Sequence, residues 1–73
     1  DKLGAVRNKM AQALLLIREA LDLSIAVARE NGKEGMAKLW EEFIREFFRY
    51  TKTKAKETGV DLISLVSLSR ILK

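Results

Sequence analysis

The chain has no cysteine, no proline and no histidine, only four glycines, and no uninterrupted apolar run longer than Ala13 to Ile17, "ALLLI". Each absence removes a class of protein. Without cysteine there are no disulfides, and without cysteine or histidine the usual structural zinc sites are closed as well. The same two absences take away the commonest general base, the thiol nucleophile and the best transition-metal ligands. Glu42 and Glu46 lie one helical turn apart, but the Glu-x-x-His partner that di-metal bundles use is missing. The serines have no base beside them, and "NGKEG" lacks the spacing and the preceding strand of a phosphate loop. No catalytic residue, metal or cofactor is expected, and the chain reads as a non-enzyme. The short apolar run falls far below a membrane span, and the start "DKLG" lacks the pattern of a signal peptide. A soluble chain is expected, and its compartment stays open.

What is present points to helices. At 73 residues and 8.3 kDa, one domain over 1–73 is the expectation. A chain this small removes only about 60% of its unfolded surface on folding, so its stability is marginal. The 48% hydrophobic content is enough to fill a core and argues against disorder. With no staples, stability has to come from well-packed helices or from association. The net charge of +4 and pI near 9.7 are compatible with nucleic acid, an acidic protein surface or an anionic membrane, and interspersion of 14 cations with 10 acids favours an ordinary soluble surface.

Apolar spacing and glycine punctuation predict three helices, at about 2–30, 33–58 and 61–72. In the first, Leu3, Val6, Met10, Ala13, Leu14, Ile17, Leu21, Ser24 and Ala28 form a stripe that Leu16, Ala20, Leu23 and Val27 widen to roughly 200°. "ENGKEG" reverses the chain, with Asn31 or Gly32 in the left-handed conformation that ends a helix. The second helix carries all five aromatic residues on a face of Met36, Leu39, Trp40, Phe43, Ile44, Phe47, Phe48 and Tyr50. Glu41 with Arg45, and Glu46 with Arg49, have the spacing of surface ion pairs. Gly59 suits a C-cap, and Asp61 suits the N-cap of a third helix.

These lengths predict an all-α, up-down-up three-helix bundle with a short third helix. At 1.5 Å per residue the helices measure about 43, 38 and 18 Å. The third therefore covers only half of the hairpin, leaving the part around Ile17 to Ala28 and Met36 to Ile44 open to water. Apolar surface of that size marks an interaction site. In projection the third helix has two apolar sides. Leu62, Leu65, Val66, Leu68 and Leu72, with Ser69 among them, face the core; Val60, Ile63, Ser64, Ser67 and Ile71 form a second side suited to a partner. Trp40 lies in the uncovered half and is the candidate anchor.

A basic stripe, Lys38, Arg45, Arg49, Lys52 and Lys56, lies within about 60° on the second helix. It suits phosphates or an acidic partner, although its face carries no aromatic residue for base stacking and its plainest role is a solvated face.

Two resemblances bear on function. The stretch "REALDLSIAVARENGKEGMAKLWEEFIREFF" resembles computationally designed (de novo) helical bundles and mini-binders in its strong helix formers, tight glycine breaks and Glu-to-Lys or Glu-to-Arg pairs. That resemblance implies a scaffold or binder without catalysis. The segment "AKETGVDLISLVSLSR" resembles the helix-turn-helix repressor family at Ala55, Gly59, Val60, Leu65 and Leu68, which implies a helix from Asp61 in the major groove of DNA. Leu62, Ile63 and Val66 would then face the groove, where polar readers are required. A protein–protein interaction module or self-associating bundle is therefore the primary expectation, its partner a protein or another copy of itself. A small DNA-binding domain is the alternative. Membrane attachment through the third helix fits poorly, because its polar side is serine rather than lysine and arginine.

Overall fold

A computed structural model describes residues 1–72. They form four helices and no strand: α1 (Lys2–Asn31), α2 (Glu34–Thr58), α3 (Leu62–Leu65) and α4 (Leu68–Ile71). The all-α class agrees with expectation, and the two long helices begin and end within one residue of it.

The ends of α1 are set by local chemistry. The Asp1 carboxylate accepts the Gly4 N–H, and the Asp1 carbonyl accepts the Ala5 N–H at 3.0 Å, so two donors of the first turn are satisfied. At the far end the Gly32 N–H donates to the Ala28 carbonyl at 3.0 Å. Gly32 has φ 93° and ψ 172°. The break was expected to use the left-handed helical region, and it uses an extended one with positive φ instead. Only glycine enters that region freely. Within α1 the polar Ser24, which falls on the apolar stripe, donates its hydroxyl to the Ala20 carbonyl at 2.6 Å.

α2 is built from strong helix formers, with Glu34 in its first turn and Lys56 in its last, each complementing the helix dipole. Its ion pairs are Glu46–Arg49 and Lys54–Glu57, the latter at 3.2 Å; both join residues three apart. Glu46–Arg49 was expected, whereas Glu41–Arg45 is not among the ion pairs of the described residues. Near the C-terminus the hydroxyls of Thr51, Thr53 and Thr58 donate to carbonyls of the preceding turn. Gly59, with φ 78°, ends the helix by donating its N–H to the Ala55 carbonyl at 2.8 Å.

The segment after Gly59 departs from expectation. One helix over 61–72 was predicted, and two single turns are found, separated at Val66 and Ser67. Val66 has φ −88° and ψ 134°, and Ser67 has φ −108° and ψ 114°, both extended. Asp61 caps α3 as expected, accepting the Ser64 N–H at 3.4 Å. The break has a physical cause. Ile63, Val66 and Ile71 lose rotamer freedom in a helix, and the serines offer their hydroxyls to competing partners. Ser64 donates to the Asp61 carbonyl at 2.8 Å, and the Ser67 and Ser69 hydroxyls share a hydrogen bond at 3.0 Å. A stretch of about twelve such residues is below the length at which a helix holds without a surface to pack on.

The chain divides into two compact units, Asp1–Ala37 and the residues from Lys38 onward, with the boundary inside α2. No described residue of either unit is buried, so neither contains a hydrophobic core of its own. The first unit has Gly4, Ile17, Ser24, Ala28 and Met36 half-buried; the second has Trp40, Thr51, Ala55 and Ser67.

Candidate functional site

The main surface feature of the first unit is its apolar stripe. Leu3 is 69% exposed and Met10 66%, and with Val6 and Leu14 they line an open apolar depression along the first half of α1. The half around Ile17 to Ala28 and Met36 to Ile44 was expected to be open, and Leu21, Leu23, Ile25, Leu39, Phe43 and Ile44 there are indeed exposed. Ile17, Ser24, Ala28, Met36 and Trp40 of that stretch are half-buried, as are Gly4, Thr51, Ala55 and Ser67 outside it. The continuous third helix expected to cover the other half is absent, and large apolar residues there, such as Leu3, Met10 and Phe47, are exposed as well.

In the second unit the aromatic face of α2 is built as its spacing implies. The Trp40 and Phe43 rings meet edge to face at 5.6 Å between centroids, and Phe47 and Phe48 do so at 5.7 Å. Trp40 is half-buried, while Phe43, Phe47, Phe48 and Tyr50 are exposed. Lys54 projects on this apolar side. Its ammonium lies 5.5 Å from the Tyr50 ring centroid and 3.2 Å from the Glu57 carboxylate.

The expected partner side of the tail, Val60, Ile63, Ser67 and Ile71, does not form one helical face. Val60 precedes α3, Ile63 is within it, Ser67 is extended between the two turns and Ile71 ends α4. A face repeating every 3.6 residues needs an unbroken helix, and the extended Val66 and Ser67 interrupt it. Val60, Ile63 and Ile71 are exposed, and Ser67 is half-buried.

Lys38, Arg45, Arg49, Lys52 and Lys56 of the basic stripe all fall within α2, where helical projection puts them on one side. Arg45, Arg49 and Lys52 surround an open depression whose remaining lining residue is Phe48, 44% exposed. An aromatic ring therefore does stand beside the stripe, contrary to expectation. In projection Phe48 lies at the border of the apolar face, and it was counted with the core for that reason. Its position three residues after Arg45 and four before Lys52 was the signal that placed it against both.

No group of three or more acidic residues among those described is arranged to hold a metal ion. No helix of the described residues is long and apolar enough to cross a membrane. No protein-family model matches the chain, and neither a curated protein nor a solved structure matches it.

Proposed function

We propose that this chain is a non-enzymatic helical interaction module that closes its apolar faces against another protein chain, in the simplest case a second copy. One observation carries the reading: large apolar side chains run the length of α1 and α2, and no described residue is buried. Each such side chain gains about 1.5–3 kcal/mol on full burial. Ordering the backbone costs about 1–2 kcal/mol per residue, which helix hydrogen bonds alone do not offset. Burial against a protein surface supplies the missing term.

The arrangement proposed with it is an up-down-up bundle in which the tail completes a third helix once it has a surface to pack on. The composition, close to that of designed bundles, supports a scaffold or binder role within the same reading. Size-exclusion chromatography with light scattering tests it. The expected result is a mass that is a multiple of 8.3 kDa, or an 8.3 kDa chain without a cooperative melt until a protein partner is added. A monomer that melts cooperatively by itself would overturn the proposal.

A further inference from the structure

The net charge of this protein is concentrated in one place. Residues 45–56 hold five cations, Arg45, Arg49, Lys52, Lys54 and Lys56, against one acid, Glu46, a balance of +4. The remaining residues carry nine of each sign, so this half of α2 accounts for the whole of the chain's +4.

Projection of α2 at about 100° per residue separates that charge from the apolar face. Met36, Leu39, Trp40, Phe43, Phe47 and Tyr50 centre on one side, and the basic stripe centres about 160° away. Protein burial of the apolar face therefore leaves the stripe in water. Only Lys54 lies on the apolar side, held by Tyr50 and Glu57. At the edge of the stripe, Phe48 shares its depression with Arg45, Arg49 and Lys52.

We propose that the Arg45–Arg49–Lys52–Lys56 stripe, with Phe48 at its border, is a binding surface for single-stranded nucleic acid. Arg45, Lys52 and Lys56 neutralise phosphates, and Arg49 does so on leaving its exposed pair with Glu46. The exposed Phe48 ring offers a stacking platform for one base. The geometry favours this ligand over the other anionic ones. A helix lying on an anionic membrane buries its apolar face and gains from cations at its flanks; here the cations lie opposite and would point away from the lipid. A duplex keeps its bases stacked and has none to set on Phe48. An acidic protein satisfies the cations but makes no specific use of the ring.

Fluorescence anisotropy of a labelled oligothymidylate of about 20 nucleotides, titrated with the full chain, tests the proposal. Four phosphate contacts predict a slope of log K against log salt near −2.8, so affinity falls about 50-fold between about 50 and 200 mM salt. Lys52→Gln should reduce the slope by about 0.7, whereas Lys54→Gln, which removes the same charge off the stripe, should leave it unchanged. Phe48→Ala should weaken binding about tenfold with the slope intact. Far-UV circular dichroism of each variant establishes that the helices persist. No binding at about 50 mM salt, or equal effects of Lys52→Gln and Lys54→Gln, would overturn the assignment. So would tighter binding to a duplex, to polyglutamate or to phosphatidylserine vesicles than to the oligonucleotide. The oligomeric state is read separately, so loss of the nucleic-acid site leaves the interaction module standing.

Discussion

α2 and the segment that follows it are both rich in large apolar residues, yet one is an unbroken helix of 25 residues and the other two turns of four. Neither has a buried core to hold it, so the difference is local. α2 is made largely of Glu, Lys, Arg, Leu, Ala and Met, closed by a glycine and threaded by two ion pairs. The tail has Ser64, Ser67 and Ser69 among Ile63, Val66 and Ile71, and no ion pair among its described residues. Helix length here follows propensity and caps.

The largest effect is expected on the apolar side of α2. Phe43→Glu with Phe47→Glu puts two charges where the account requires burial, while α2 itself should survive. Each exchange should cost about 2 kcal/mol or more of association, roughly thirtyfold in affinity, visible by sedimentation equilibrium. Unchanged association would mean that the aromatic face is not the contact.

Next in size are the glycines that end the long helices. Gly32→Ala forces a side chain into a backbone region nearly reserved for glycine and should cost about 1–3 kcal/mol. At Gly59, with φ 78°, alanine should cost about 1–2 kcal/mol. No atom within 4 Å obstructs a Cβ at either position, so the cost arises in the backbone alone. Thermal melts of the two variants measure both.

Val66→Ala with Ser67→Ala acts on the break in the tail. Ser67 makes no side-chain cap to α4, so its replacement removes no helix-starting bond. The pair should gain about 1 kcal/mol of helix propensity and fuse α3 with α4, raising the helical dichroism signal. A signal that stays flat would show that composition is not what splits the tail. The smallest effect belongs to Glu46→Gln. Loss of its exposed pair with Arg49 should change stability by about 0.3–0.5 kcal/mol, an effect that vanishes in high salt.

Much of this was legible from residue types alone. The bounds of α1 and α2, the cap at Asp61 and the chain breaks at Gly32 and Gly59 depend on a few neighbouring atoms, and sequence spacing carries that information. The basic stripe was legible for the same reason, as a face of one helix. The tail was misread because its apolar spacing is helical while its serines and β-branched residues oppose a helix; spacing alone does not say which dominates. The extended ψ of Gly32 is invisible because glycine admits several positive-φ conformations. Phe48 was hidden by standing on a border, where one ring belongs both to the apolar face and to the cations beside it.

In the function proposed above, the apolar faces of α1 and α2 are closed by another chain. The dependence of the thermal midpoint on protein concentration tests it most directly, because association makes the folded state more stable as concentration rises. A midpoint that climbs steadily over a hundredfold range of concentration, about two decades, is the result predicted. A sharp, cooperative transition at the same temperature throughout that range would contradict it.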